Sequence, residues 1–162
     1  MNDQVKAYLR VEVVVSAAFN FFINGMIAAL IYHKADYVPA DPVSIGVDLL
    51  LTCVPVFILT ALFDSASLRR AKVTGLYASE RKHVQELGRL FRCPLLFGAA
   101  AGLAVAAVLT ALAAPVLFLL DVTTVSFWTY IVAKPVFTAV LGSGGTLLML
   151  YIGICGGERS EK

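Results

Sequence analysis

The sequence predicts an all-α integral membrane protein, a single four-span domain over residues 1–162 folded as a four-helix bundle with both termini in the cytoplasm. Three observations carry this reading. Hydrophobic residues make up 59% of the chain and charged residues 15%, with a mean hydropathy of +0.83, whereas soluble domains run at about half apolar and a quarter charged. The apolar residues fall in runs too long and too continuous for the core of a soluble domain of this length. The basic residues, finally, crowd onto one side of those runs.

The first run, residues 11–31, reaches about 31 Å at roughly 1.5 Å per residue, enough to cross a hydrocarbon core. Lys6 and Arg10 precede it as in a secretory signal, but the run is longer than a signal core and has no small-x-small cleavage site before His33, so an uncleaved anchor is expected. Lys34, Asp36, Pro39, Asp41 and Pro42 then mark a short connection. Span two covers about residues 44–63 and contains Pro55, which is tolerated in membranes where neighbours satisfy the freed carbonyl.

Residues 64–93 form the one long polar loop, expected in the cytoplasm. It holds seven of the 13 Lys and Arg residues, namely Arg69, Arg70, Lys72, Arg81, Lys82, Arg89 and Arg92. Within it, Val84, Leu87, Leu90 and Phe91 recur at helical spacing beside Arg81, Lys82, Arg89 and Arg92, which predicts a basic amphipathic helix lying on an anionic inner leaflet.

Span three, about residues 94–120, carries no charge, and Gly98, Gly102, Ala106, Thr110 and Ala114 recur every fourth residue. Such a stripe lets a second backbone approach closely, which is how helices associate in lipid where no hydrophobic drive separates them from the solvent. Span four is expected over about residues 135–155, with Pro135 in its first turn. The preceding aromatic segment, with Trp128 and Tyr130, is then interfacial, the alternative being one long span that buries Lys134. The run Gly142-Ser143-Gly144-Gly145 falls mid-span, where it either unwinds the helix for a ligand or lets span three cross tightly on Gly142 and Gly145; the crossing is preferred.

Counting Lys and Arg by side gives two before span one, seven in the central loop and two after span four, against Lys34 and Lys134 elsewhere. The excess points to N-in, C-in. A net charge of +2 is no signal for nucleic acid. Cys53, Cys93 and Cys155 are isolated, without a CxxC, which argues against a disulfide framework, a zinc site or a thiol oxidoreductase, and they are expected to be reduced.

Two polar stripes are the candidate functional feature. Glu12, Ser16, Asn20 and Asn24 lie four apart in span one, and each such step turns only about 40° around a helix. Span two carries Asp48, Thr52, Thr60 and Asp64, with Val56 breaking the series. An antiparallel hairpin of spans one and two about Val38 sets Asn24 level with Thr52 and near Asp48, Ser16 with Thr60, and Glu12 with Asp64. Read functionally, Asn20, Asn24, Asp48, Thr52 and Lys134 mark a substrate or ion path. Read structurally, the amides and hydroxyls only bond helix to helix. Lys134 is the outer-side cation that could pair with Asp48.

No nucleophile with its base, no carboxylate pair and no metal cluster is apparent, and His33 and His83 stand alone in separate loops, so neither an enzyme nor a cofactor is expected. The glycine run lacks the Lys-Ser or Lys-Thr of a phosphate loop. A transporter or channel working as a homo-oligomer is preferred. The alternative is a non-catalytic accessory subunit that grips a partner membrane protein through span three and meets cytosolic or lipid partners through the basic loop. The four-span pattern, with an Asn-rich first helix and a basic central loop, resembles many small bacterial membrane proteins, some of them labelled permeases. That likeness implies a bacterial cytoplasmic membrane.

Overall fold

Polar and proline stops in the sequence decide where each helix begins and ends. In the computed structural model, which describes residues 3–73 and 93–156, the chain forms α1 (Asp3–Tyr32), β1 (Tyr37–Pro39), α2 (Pro42–Val73), α3 (Pro94–Leu119), β2 (Thr124–Ser126) and α4 (Phe127–Gly156). All four helices are long and apolar enough to cross a membrane, and the chain is a multi-pass membrane protein.

Asp41 starts α2. Its Oδ1 accepts the backbone N–H groups of Val43 and Ser44, at 3.1 Å each, satisfying donors that a helix N-terminus leaves orphaned. The Ser44 hydroxyl, which donates to Oδ2, and these backbone bonds hold the Asp41 carboxyl below the usual carboxylate range. Pro94 opens α3 in its first turn, where the missing N–H costs nothing. α3 ends in a tight turn in which Asp121 takes a positive φ of 50°, a conformation that a short polar side chain tolerates better than most.

The connections after α1 and before α4 pair as an antiparallel ribbon, with Val38 opposite Val125. Ala40 donates to the Thr123 carbonyl at 2.8 Å and Phe127 to that of Asp36 at 3.0 Å. This ribbon defines one end of the bundle, the hairpin end. The first residues of α1 and the last of α4 meet at the other, the terminal end, in an apolar cluster of Val5, Leu9, Leu68, Leu150 and Ile154.

Several expectations are corrected by this arrangement. α4 begins at Phe127, not near Pro135. Ser126 caps it, its Oγ accepting the Thr129 N–H at 3.3 Å, and the ribbon holds that cap in place, so residues 127–134 belong to the helix. Trp128 does face outward, at 76% exposure, but Tyr130 turns inward. α2 runs ten residues past Phe63, so Arg69 and Arg70 lie exposed on its final turns. The side chain of Lys72, and the segment containing Arg81, Lys82, Arg89 and Arg92 with its expected amphipathic helix, lie outside the described residues.

The packing order is also different. α2 packs along α3, α1 packs along α4, and α2 makes a second seam with α4, while α1 and α2 share no extended seam. Spans one and two are therefore not a close hairpin: a cleft separates them, and α4 forms its floor. The small stripe of α3 captures one face of α2 so closely that a Cβ at Gly98 would stand 2.7 Å from the Ile58 Cα, and one at Gly102 2.7 Å from the Val54 Cα. Ala106 continues this buried stripe, and Thr110 meets Gly46, whose Cβ would lie 3.3 Å from the Thr110 methyl.

Candidate functional site

The facing walls of the cleft are the two polar stripes, and between them lie two cavities, one above the other. The cavity toward the hairpin end has a volume of about 450 Å³ and is lined by Asn24 from α1, Asp48 and Thr52 from α2, and Tyr130 and Lys134 from α4, on an otherwise apolar wall. The one toward the terminal end has a volume of about 340 Å³ and is lined by Glu12, Ser16 and Asn20 from α1, Thr60 and Asp64 from α2, and Thr146 from α4.

At the hairpin end the charges are matched. The Lys134 Nζ lies 2.5 Å from each carboxylate oxygen of Asp48. The Tyr130 hydroxyl donates to the Asp48 Oδ1 at 2.9 Å, and Lys134 also stands 5.4 Å from the centre of the Tyr130 ring. Tyr32 packs its ring edge-on to Tyr130 at 5.1 Å. The Lys134 side chain is 10% exposed and that of Asp48 26%. A lone lysine or aspartate at this depth in hydrocarbon is costly, and the pair removes the net charge while leaving Asp48 partly open to the cavity.

The amides and hydroxyls divide. The Thr52 hydroxyl donates to the carbonyl of Asp48, in its own helix, at 2.6 Å. The Asn20 Nδ2 donates to the Ser16 carbonyl at 2.9 Å and the Asn24 Nδ2 to the Asn20 carbonyl at 3.0 Å. Both amide nitrogens thus bond within α1. Among the described residues no donor reaches the Oδ1 of Asn24, which lines the cavity.

The glycine run does not unwind. α4 is continuous through Gly142 and Gly145, and what crosses there is α1 and α2, not span three. Gly142 receives the side chain of Asn20, and Gly145 faces Phe57 and Thr60. The Thr138 hydroxyl, fully buried, lies 3.2 Å from the Asn20 carbonyl and 3.0 Å from that of Pro135, which fastens α1 to α4 between the two cavities.

Thr138 and Thr146 were not singled out from the sequence, and Tyr130 only as an interfacial aromatic, although a signal was present. Tyr130, Lys134, Thr138, Gly142 and Thr146 recur every fourth residue, the same period as the stripes of α1 and α2, and so fall on one helix face. Beginning span four at Pro135 cut that series at its second member.

Among the described residues no group of three or more His, Cys, Asp or Glu side chains is placed to hold a metal ion. Cys53 is buried and Cys93 exposed, and both are free. Comparison with protein-family models, with curated proteins and with solved structures found no match for this chain.

Proposed function

We propose that this protein is a transporter of a small polar solute or ion, working as a homo-oligomer in the cytoplasmic membrane of a bacterium, with both termini inside. The observation that carries the reading is the stacking of two largely apolar cavities along a single cleft, each with polar side chains contributed by α1, α2 and α4. Ionisable residues within membrane spans concentrate along substrate and ion paths. The cleft offers such residues at successive depths: Glu12 and Asp64, then Asp48 with Lys134.

The upper cavity supplies the recognition chemistry. A solute carrying a negative group competes with Asp48 for Lys134, and one carrying a positive group competes with Lys134 for Asp48, while Tyr130 and the Oδ1 of Asn24 provide neutral contacts. The apolar cluster of Val5, Leu9, Leu68, Leu150 and Ile154 seals the terminal end, so release on that side requires α1 to part from α2 there. Arg69, Arg70 and the basic residues that follow favour the anionic inner leaflet, which supports a cytoplasmic position for that end.

The alternative is a non-catalytic accessory subunit that grips a partner membrane protein through span three and meets cytosolic or lipid partners through the basic loop. α2 packs on the small-residue face of span three, which favours transport over that reading. The test is native mass spectrometry of the protein extracted gently from its own membrane, with Asp48→Asn alongside. The expected outcome is a homo-oligomer retaining a small solute or ion that the variant loses. A single copy bound to a different membrane protein would sink transport and restore the accessory reading.

A further inference from the structure

The lower cavity contains chemistry that the Asp48 site does not use. Its walls carry two carboxylates, Glu12 and Asp64, and the hydroxyls of Ser16, Thr60, Ser67 and Thr146, so every neutral polar side chain except the Asn20 amide is a hydroxyl. Asp64 is 4% exposed and Thr146 1%. Among the described residues neither the Asp64 Oδ2 nor the Thr146 Oγ1 completes a hydrogen bond of good geometry, although the Thr146 hydroxyl lies close to the Asp64 carboxyl. Buried polar atoms are almost always paired, and a carboxylate oxygen is the most expensive to leave bare. Here two such atoms, from different helices, belong to residues that line the same space.

The charged and polar neighbours come from each helix of the cleft. From α1 comes Glu12, of the same sign as Asp64, together with Tyr8, whose hydroxyl is already donated to the Ser67 carbonyl at 2.9 Å. From α2 itself comes Arg70, exposed at the cavity's terminal side. α4 contributes Thr146 and no charge. On the lipid side, Phe19 and Phe63 meet edge to face at 5.6 Å, an apolar cover across the cleft at this level.

We propose that this cavity binds one monovalent cation, with Asp64 as its charged ligand, Thr146 as a neutral oxygen ligand and Glu12 lending negative potential beside them. Carboxylate and hydroxyl oxygens suit a hard cation. One buried carboxylate with an oxygen left without a well-formed hydrogen bond asks for a single positive charge, which an alkali ion or a proton supplies equally. The site is separate from the Asp48–Lys134 pair and does not depend on the cleft being a transport route.

The full-length protein in nanodiscs of zwitterionic lipid provides the test. Thermal unfolding is followed while sodium, potassium or lithium replaces N-methylglucamine at constant ionic strength, and then at falling pH without alkali ions. A ligand that binds only the folded state raises the midpoint with its concentration. The expected result is a rise with an alkali ion, or with falling pH, that Asp64→Asn abolishes, and the titration that responds identifies which cation is bound. Thr146→Val weakens the apparent affinity by about tenfold, the worth of one good hydrogen bond. A wild-type midpoint indifferent to both titrations, or an Asp64→Asn response equal to wild type, overturns the proposal. If Asp64→Asn does not fold, Thr146→Val decides, and undiminished affinity in that variant overturns it.

Discussion

α2 meets its two flanking helices in opposite ways. Toward α3 it presents backbone to glycine, with Gly98 and Gly102 admitting Ile58 and Val54, and the seam holds no charge. Toward α1 it presents Asp48, Thr52, Thr60 and Asp64, and the two helices stand apart around cavities of about 450 and 340 Å³. In lipid, close van der Waals approach is what draws helices together. The seam with α3 is therefore the fixed half of the molecule. The cleft is the half that can change, because α1 and α2 share no extended seam across it and are joined through their separate seams with α4.

The sharpest way to break this contrast is to fill the glycine seam. Gly98→Leu places a branched side chain where even a Cβ would lie 2.7 Å from the α2 backbone, and backbone cannot move aside as a side chain can. We expect loss of the folded state, read as aggregation on size-exclusion chromatography in mild detergent. Gly102→Ala is expected to be milder, costing about 1–3 kcal/mol as overpacking does, and to lower the thermal midpoint. Unchanged stability in both would show that α3 is not the anchor described here.

In the cleft, the corresponding test is the ion pair. Lys134→Met leaves Asp48 with only the Tyr130 bond, and Asp48→Asn leaves Lys134, at 10% exposure, without its counter-charge. Each single change is expected to destabilise, by less than the roughly 3–5 kcal/mol of a fully buried pair, because Asp48 reaches the cavity. The double variant, having no orphaned charge, is expected to be more stable than either single one. A double-mutant cycle measures this, and simple additivity would mean the two side chains act independently.

The two halves also differ in how far the sequence revealed them. The seam was readable, since small residues every fourth position on an uncharged helix leave little to do but pack; only the identity of the partner, α2, had to come from the structure. In the cleft, the stripes and their levels follow from four-residue spacing and an antiparallel chain, and the structure sets Asn24 beside Asp48 and Thr52, and Glu12 beside Asp64. The gap itself was not readable. A stripe records which residues share a face, not how far away the facing helix stands, and here the distance is set by α4. The contribution of α4 was obscured because Pro135 is a good first-turn residue and so offered a false start, whereas the true start depends on Ser126 held in a ribbon with β1, a long-range pairing.

Within α4, the glycine run offers a finer comparison between a packed and an open position. Gly142→Ala drives a methyl into the side chain of Asn20, whereas Gly144 has nothing within 4 Å of its would-be Cβ. Gly144→Ala is expected to raise stability by about 0.5–1 kcal/mol through helix propensity alone. Gly142→Ala gains the same propensity but displaces Asn20 from between the cavities, and its midpoint is expected to fall below that of Gly144→Ala. Equal midpoints would mean that α1 is free to shift along α4, and the two cavities would then not be fixed in their present levels.

The smallest effect belongs to the hairpin end, where the cleft's upper wall begins. Asp41 accepts the N–H groups of Val43 and Ser44 together with the Ser44 hydroxyl, and these bonds lower its carboxyl from an ordinary value of 3.8. A carboxyl lowered by folding adds stability that is fully present above its unfolded value and is lost as the pH falls through the folded one. Asp41→Ala is therefore expected to lower the thermal midpoint slightly at neutral pH, and the difference from wild type to shrink as the pH drops below the ordinary carboxylate range. Asp41→Asn, which still accepts the backbone bonds but bears no charge, is expected to retain much of the stability with little of the pH dependence. A difference between Asp41→Ala and wild type that persists undiminished into acid would mean that the side chain acts by packing and not as the cap of α2.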